Sequence, residues 1–267
     1  MLQFTKAHAY GNDFIYVDRG SVGDLPLAPL TRELCDRHTG IGADGLIVYS
    51  RTADGAAMSL LNADGSHAEV SGNGIRALAA LILENDHRTN IEIRVDTEAG
   101  PKVVTRTARS GSRQTFRAAM GTPTELRQVS VTAGGESVAA VILKIGNPQC
   151  VVLGPLPEAE RFRRVGAALE HHTMFPSGTN VEFAAVEAPG RVRILIWERG
   201  CGPTMSSGTG SCAALVAAAS FGGALRRAEI VAPGGVQYVE WLDDNVYLTG
   251  WAEVVCRGEW LRALPHE

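Results

Sequence analysis

The sequence predicts an α/β (α+β) protein of two pseudo-symmetric lobes, each a curved, mostly antiparallel β sheet around a central helix. The first observation is a repeat: the turn Ser71–Gly74 recurs as Ser207–Gly210, 136 residues later. The second is that an apolar segment follows each copy of the turn, and the third is that short β-rich segments surround both copies. A chain that repeats one plan in this way is expected to form two homologous lobes that face each other.

Three further matches accompany the repeated turn at almost the same spacing. Each joins a segment of the first half to one of the second half, in the same order along the chain. They are Gly42–Asp44 with Gly178–Asn180, Asn62 with Glu198, and Gly11–Asp13 with Gly146–Pro148, the last at an offset of 135 residues. Four ordered matches predict an internal duplication of the fold.

The helices and strands of the lobes are predicted from residue type. Ile75–Ile82 and Cys212–Ala219 are apolar all round, which is typical of a helix buried on every side. Strands are expected where β-branched and aromatic residues cluster between Gly, Asp or Asn. These segments are Phe14–Val17, Leu46–Tyr49, Ile91–Val95 and Lys102–Thr105.

The boundary between the lobes is placed in the polar, glycine-containing stretch Ala108–Gly111. This gives an N-terminal lobe of residues 1–112 and a C-terminal lobe of residues 113–251. The run Ala252–Arg257 is expected to return to the first lobe, so residues 252–267 are assigned to it.

Composition limits the classes of function. The 267 residues carry a net charge of −4, which gives no reason to expect nucleic acid or an anionic membrane as a partner. No apolar run approaches the roughly 20 residues that cross a bilayer, and the N-terminus has no export-signal pattern. The five cysteines include no CxxC pair, which favours free thiols in a cytoplasmic protein. The spacing of the histidines predicts no metal site, and the setting of the lysines disfavours pyridoxal phosphate.

The repeated turn predicts a binding site for a carboxylate. A glycine-rich turn that opens a helix presents backbone N–H groups where the helix dipole favours an anion. Two such turns on facing lobes would hold one carboxylate with its α-carbon between Ser71 and Ser207. That geometry suits removal of a proton from one face of the carbon and delivery to the other. The alternative is that both serines are structural N-caps.

A dinucleotide site is a second alternative for the same glycines. Gly72–Ala77 and Gly208–Ala213 both fit the pattern GxGxxA, and Glu92 and Glu229 follow about 20 residues later. The surroundings disfavour it, because Glu92 lies inside an alternating strand and not at its end. The chain also lacks the repeated βαβ alternation of a doubly wound sheet.

Taken in order, these motifs resemble those of the diaminopimelate epimerase family along the whole chain. The matching segments are Gly11–Phe14, Asp36–Gly45, Asn62–Ser66, Ser71–Arg76, Gly146–Pro148, Asn180–Phe183, Glu198–Gly200 and Ser207–Gly210. The resemblance implies the diaminopimelate epimerase-like fold and a homodimer. It also implies an isomerase of lysine and peptidoglycan biosynthesis that interconverts LL- and meso-diaminopimelate without cofactor or metal. Two cysteines serve the family as thiolate base and thiol acid.

The resemblance also assigns the groups that hold the substrate. The non-reacting end of the amino acid would be bound by Asn12, Asn62, Asn147, Asn180 and Arg199. The turn amides that grip the reacting carboxylate would be those of Gly72, Asn73, Gly208 and Thr209. Glu198 would contact the substrate and help to set the proton state of the second thiol.

The catalytic positions depart from the family pattern. Ser71 and Ser207 stand where the family has its two cysteines, and Gln149 stands where a histidine assists the first thiol. A thiol with a pKa of about 8.5 ionises at neutral pH far more readily than a serine hydroxyl. A glutamine cannot take up the proton of either group.

Three interpretations of these replacements remain open. The chain is an epimerase whose serines or Glu198 still move protons, a relative with altered chemistry or only a binding function, or a variant with both cysteines replaced. The additional change at Gln149 argues against the last interpretation. Cys201 and Cys212 flank the second turn, but both are expected to point into packing and not into the site.

Overall fold

The computed structural model describes residues 1–262 and consists of two compact units. One unit contains Met1–Ala118 together with residues 250–262, and the other contains Ala119–Thr249. The division falls after residue 118, whereas the sequence analysis places it after residue 112. The stretch Ala108–Gly111 does not separate the units because it lies at the tip of a hairpin of two paired strands.

The first unit is built mainly of β strands. Its strands are β1 (Leu2–Ala9), β2 (Asn12–Asp18), β3 (Gly45–Thr52), β4 (Gly55–Asn62), β5 (His67–Ala68), β6 (Ile91–Thr97), β7 (Gly100–Ser110) and β8 (Arg113–Gly121), which continues into the second unit. Its helices are α1 (Arg19–Val22), α2 (Leu27–Cys35) and α3 (Gly72–Ile82). All four strand segments predicted from residue type lie within β2, β3, β6 and β7.

The second unit has the same character. Its strands are β9 (Thr124–Ala133), β10 (Glu136–Ile145), β11 (Asn147–Leu153), β12 (Asn180–Ala188), β13 (Arg191–Glu198), β14 (Gly202–Thr204), β15 (Arg227–Ala232), β16 (Gly235–Leu242) and β17 (Asn245–Trp260). Its helices are α4 (Ala159–Glu170) and α5 (Gly208–Phe221). Strand β17 passes Gly250 into the first unit, where it pairs with β1. Within residues 1–262, no helix has the length and apolar character needed to span a membrane.

The two units repeat one pattern of strand pairing, which confirms the predicted duplication of the fold. In the first unit, β1–β2 is antiparallel, β2–β3 parallel, β3–β4 antiparallel and β4–β6 parallel. In the second unit, β10–β11, β11–β12, β12–β13 and β13–β15 repeat these four pairings in the same order and sense. The many antiparallel pairs also exclude the parallel, doubly wound sheet of a dinucleotide-binding fold.

The predicted helical segments lie within α3 and α5, where Ile75–Ile82 forms the C-terminal part of α3 and Cys212–Ala219 the central part of α5. Each helix begins at the first glycine of its turn, a few residues before the predicted segment, because the serine that precedes the glycine caps the helix. Helix α3 is buried throughout Asn73–Leu81, and α5 is buried throughout Gly210–Ala218. The small side chains of α5 let the strands of the second unit pack closely around it.

Candidate active site

Ser71 and Ser207 occupy equivalent positions as the N-cap residues of α3 and α5. The Oγ atom of Ser71 accepts a hydrogen bond from the N–H of Gly74 (3.0 Å), and that of Ser207 accepts one from the N–H of Gly210 (3.2 Å). The structural alternative raised by the sequence is therefore present in both turns. A capping hydroxyl still has its own proton to donate, so capping is compatible with a role at the reacting carbon.

The turn amides predicted to grip a carboxylate belong to the first turn of each central helix. Gly72 and Asn73 open α3, and Gly208 and Thr209 open α5. An N–H group at the first positions of a helix has no carbonyl acceptor one turn earlier in that helix. Together with the positive end of the helix dipole, this makes each turn suited to a negatively charged group.

In the first unit, the side-chain amide of Asn12 joins two parts of the predicted site. Its Nδ2 atom donates to Oδ2 of Asp44 (2.7 Å), and its Oδ1 atom accepts from Nδ2 of Asn73 (3.1 Å). The Asn73 side chain in turn accepts a hydrogen bond from the buried guanidinium of Arg76. The structure thus brings two predicted binding residues, Asn12 and Asn73, into direct contact and fixes their amide orientations.

An ion-pair network that the sequence analysis did not identify supports the loop of Asn12. Arg37 pairs with Asp13 (2.8 Å) and with Asp44 (2.7 Å), and Lys6 pairs with Asp13 (2.9 Å). Burial opposes the ionisation of Asp13, but the hydrogen bonds from Arg37 and Lys6 outweigh it and lower the pKa of this carboxyl. Two sequence motifs that are distant along the chain therefore meet through these charges.

Asn62 ends β4 and forms a tight turn with Ser66. Its Nδ2 atom donates to Oγ of Ser66 (3.0 Å), and its N–H donates to the Ser66 carbonyl (2.8 Å). The N–H of the next residue, Ala63, donates to the carbonyl of Asp44 (3.0 Å). Asp44 therefore links the turn of Asn62 to the loop that carries Asn12.

In the second unit, the fully buried Gln149 connects several predicted site residues. One end of its side-chain amide lies 3.1 Å from Nδ2 of Asn180 and 3.1 Å from Oγ1 of Thr209, and the other end faces Glu182. Oδ1 of Asn180 accepts the backbone N–H of Arg199 (2.9 Å), so Nδ2 of Asn180 must face an acceptor. The oxygen of Gln149 is that acceptor, and its nitrogen faces Glu182.

Asn147 completes a group of polar residues that we call the second-unit cluster. A terminal atom of its amide lies 2.5 Å from the end of the Gln149 side chain that also faces Asn180. The cluster consists of Asn147, Gln149, Asn180, Glu182 and Thr209. Three predicted substrate-binding residues therefore converge on one buried glutamine.

Glu182 is the member of this cluster to which the sequence analysis gave no role. Its side chain is 0% exposed, and a Cβ atom at Gly210 would collide with its Oε1 atom. Burial, with a smaller contribution from the charge of Glu198, raises the pKa of Glu182 well above the usual carboxyl range. A signal was present in the sequence, since this glutamate stands between Val181 and Phe183 in an apolar segment.

Arg199 lies in the turn after β13, and a buried glutamate at the end of α4 holds this turn. The carboxylate of Glu170 accepts the N–H of Gly200 (2.7 Å) and Nε1–H of Trp197 (2.7 Å). The guanidinium of Arg199 is exposed and donates to the carbonyl of Ser177 (2.9 Å). Glu170 could not be predicted from the sequence, because it lies far from the turn along the chain and in no repeated motif.

The two cysteines that flank the second turn differ in their surroundings. Cys212 is buried in α5, as expected, but the expectation that Cys201 points into packing was wrong, because Cys201 is exposed. Cys201 follows Gly200, whose positive φ of 77° turns the chain between β13 and β14, and its N–H donates to the carbonyl of Glu198 (3.0 Å). This tight turn leaves the Cys201 side chain on the outside.

Solved structures that share this fold include epimerases. A protein described as a predicted epimerase from Pseudomonas aeruginosa matches with a TM-score of 0.76 and 14% identity, covering 98% of this chain and 100% of that one. A hydroxyproline epimerase from Agrobacterium vitis matches with a TM-score of 0.69 and 18% identity, covering 96% and 90%. These similarities confirm the predicted fold class, a sheet-rich fold built of two repeated halves.

Sequence comparison identifies the family. The diaminopimelate epimerase family model matches residues 4–126 and 141–255. The diaminopimelate epimerase of Desulforudis audaxviator is 40% identical over 285 aligned positions, covering 98% of this chain and 100% of the relative. That of Desulfitobacterium hafniense is 38% identical, covering 96% and 97%. The chain therefore belongs to the diaminopimelate epimerase family, as the motifs implied.

Proposed function

We propose that this chain is a cofactor-independent epimerase that transfers a proton at the α-carbon of diaminopimelate, between the LL and meso forms. The observation that carries the proposal is family membership along nearly the whole chain. It is supported by the polar residues that the family uses at the non-reacting end of its substrate, all of which are present. Three of them lie in one group: Asn147 and Asn180 contact Gln149, and the backbone N–H of Arg199 donates to Asn180.

The proposed chemistry uses the two helix-opening turns on one substrate. The amides of the turns would bind the carboxylate and stabilise the charge that moves onto it as the proton leaves. Ser71 and Ser207 would stand at opposite faces of the α-carbon, with Glu198 as the ionisable group assigned to the site. Because a serine hydroxyl is a much weaker acid than a thiol, proton transfer at neutral pH is expected to be slow.

Proton–deuterium exchange at the α-carbon of diaminopimelate in D2O tests the proposal directly. The purified protein should exchange this proton slowly but above the uncatalysed background, with conversion of LL- to meso-diaminopimelate. The double variant Ser71→Ala/Ser207→Ala should fall to background. Ser130→Ala, which changes an exposed serine of β9, should behave as the parent. Saturation with bound diaminopimelate without any exchange would contradict an epimerase.

A binding protein without turnover is the second candidate, and one observation favours it. The three positions at which the family carries out proton chemistry hold Ser71, Ser207 and Gln149, and both serine oxygens already cap helices. Calorimetry with diaminopimelate, combined with the exchange experiment, separates the two candidates. Binding with no exchange supports the second candidate, and binding with exchange supports the first.

We also propose that the protein acts as a homodimer in the cytoplasm. The dimer is the assembly expected of the family, and no disulfide joins the five cysteines, as suits a reducing compartment. Light scattering on the purified protein measures the mass of the assembly. A mass equal to one 28.3 kDa chain at working concentration would contradict the dimer.

A further inference from the structure

A chain of hydrogen bonds with one fixed direction runs through the second unit. It begins at the backbone N–H of Arg199, which donates to Oδ1 of Asn180 (2.9 Å). Nδ2 of Asn180 donates to the oxygen of Gln149 (3.1 Å), and the nitrogen of Gln149 donates to the two carboxyl oxygens of Glu182 (3.1 and 3.2 Å). Because each amide accepts at one end and donates at the other, the orientation of one determines the orientation of the next. Glu182 is the acceptor at which the chain ends.

Glu182 is well suited to fix this chain, because its side chain is enclosed by the packed interior of the second unit. It is 0% exposed, and it lies on β12 between two paired strands, opposite Val151 of β11 and Ile196 of β13. Its carboxyl group packs so closely on the first turn of α5 that Gly210 has no room for a side chain. A buried acceptor determines which end of the neighbouring amide faces it.

We propose that Glu182 is a positioning residue, which orients the Gln149 amide and, through Asn180, holds the Arg199 turn for the distal end of the substrate. It does so without touching the substrate itself. The inference rests on the proposed function only for the identity of the ligand. The direction of the hydrogen-bond chain depends on the geometry of the second unit alone.

An amide at position 182 should replace the carboxyl group. Two ionisable groups on the neighbouring strands interact electrostatically with Glu182, the carboxyl of Glu198 on β13 and the thiol of Cys150 on β11, and α5 contributes one ionisable residue, Cys212. Burial, with the charge of Glu198 adding to it, raises the pKa of Glu182 well above its ordinary value, so the surroundings of this residue disfavour a charged side chain. The carbonyl of a glutamine can then accept the same N–H of Gln149.

Four variants test the inference. Glu182→Met keeps the unbranched shape but removes both oxygens, Glu182→Gln keeps an acceptor, and Gln149→Ala breaks the chain at its next member. Glu187→Met is the matched control, because Glu187 lies on the same strand but is exposed. Two quantities are measured for each variant: the hydrogen-exchange rate of the Arg199 backbone amide by NMR, and the Kd for meso-diaminopimelate by calorimetry.

The expected result is one pattern in both measurements. Glu182→Met should raise the exchange rate of the Arg199 amide about tenfold and the Kd about tenfold, as expected when a buried hydrogen bond is lost. Gln149→Ala should have the same effect, and the double variant should add nothing further. Glu182→Gln and Glu187→Met should stay within about twofold of the parent on both quantities.

Three outcomes would overturn the inference: a folded Glu182→Met protein with parental amide exchange, a Glu182→Gln protein as impaired as Glu182→Met, or additive effects of positions 149 and 182. If Glu182→Met does not fold, the amide exchange and the Kd of Glu182→Gln are compared with those of Gln149→Ala. Equal impairment of these two variants would also overturn the inference. If the parent does not bind diaminopimelate, the proposed function is wrong. The exchange rate of the Arg199 amide still tests the role of Glu182 in that case.

Discussion

Gln149 and Glu182 face each other in the buried centre of the second unit, with the amide nitrogen of Gln149 3.1 and 3.2 Å from the two carboxyl oxygens of Glu182. The resemblance to the family implies a histidine at position 149 that assists the first thiol. Glutamine donates a hydrogen bond to Glu182 but exchanges no proton with it. The pair therefore contains an amide that does not titrate, at the position where the resemblance implies a titratable histidine.

The first prediction is that cysteine at both serine positions raises epimerisation. The double variant Ser71→Cys/Ser207→Cys should exchange the α-proton of diaminopimelate at least about 100-fold faster than the parent, because a thiol can ionise at neutral pH. Each single replacement should give less, since one group must accept a proton while the other delivers one. The rate of α-proton exchange in D2O measures this.

Adding Gln149→His to the double cysteine variant should raise the rate again. A histidine there can share a proton with the first thiol, which a glutamine cannot do. Ser130→Cys, on the exposed part of β9, is the control for adding a thiol and should have no effect. A parent protein that already matches the double variant in rate would show that another group serves as the base.

The second prediction concerns the distal end of the substrate. Arg199→Ala should weaken the binding of diaminopimelate about tenfold or more, because a guanidinium pairs with a carboxylate through charge-assisted hydrogen bonds. Arg226→Ala is the control: Arg226 is also an exposed arginine of the second unit, but it stacks on the ring of Trp241 at 3.8 Å. Calorimetry should show near-parental affinity for this control, and equal losses in both variants would remove Arg199 from the site.

The third prediction is that Gly210→Ala destabilises the protein. The added methyl group would collide with Oε1 of Glu182 and lie 3.1 Å from Cβ of Ser207. Overpacking of this kind should cost about 1–3 kcal/mol of unfolding free energy, more than the helix propensity of alanine returns.

Denaturant unfolding measures this loss, with Gly190→Ala as the control, because a Cβ atom at Gly190 meets nothing within 4 Å. Combining Gly210→Ala with Glu182→Ala should recover part of the loss, since the second change removes the atoms that collide. A Gly210→Ala protein that is as stable as the parent would show that Glu182 can move away from α5.

The fourth prediction is a pH-dependent contribution of Asp13 to stability. Although burial opposes it, hydrogen bonds from Arg37 and Lys6 lower the pKa of Asp13 below its ordinary value of 3.8. A carboxyl with a lowered pKa stabilises the folded state above its unfolded pKa, and this contribution is lost as the pH falls through the folded pKa. Asp13→Asn should therefore lower the unfolding free energy by about 1 kcal/mol near neutral pH. This value is at the low end for a charged hydrogen bond, because the half-exposed Arg37 is screened by solvent.

The stability difference between Asp13→Asn and the parent should shrink as the pH falls from about 4 to about 2. Asp24→Asn, which changes an exposed aspartate of the same unit, should remain within about 0.5 kcal/mol of the parent over this range. Urea unfolding at a series of pH values measures both variants. A difference for Asp13→Asn that stays constant down to about pH 2 would show that its charge is not involved.

Much of the fold could be predicted because the same sequence features occur in both halves of the chain. The matched turns predicted the duplication, and the apolar runs after them predicted the two central helices, since a segment without a polar face must be buried on all sides. The helix starts were less accurate, because glycine is a poor helix former and only the capping serine explains its inclusion. The predicted orientation of Cys201 was wrong, because the sequence of an exposed tight turn resembles that of a buried one.

The sequence by itself determined the family, the repeated architecture and the residues in the motifs, because these are recorded as residue types at fixed spacings. Only the tertiary structure decided which residues touch. Glu182 and Gln149 are 33 positions apart and Glu170 and Gly200 are 30 apart, yet each pair is in contact because parallel strand pairing and helix packing bring them together. Burial and hydrogen-bond direction depend on all neighbours of a group at once, and spacing along the chain does not contain that information.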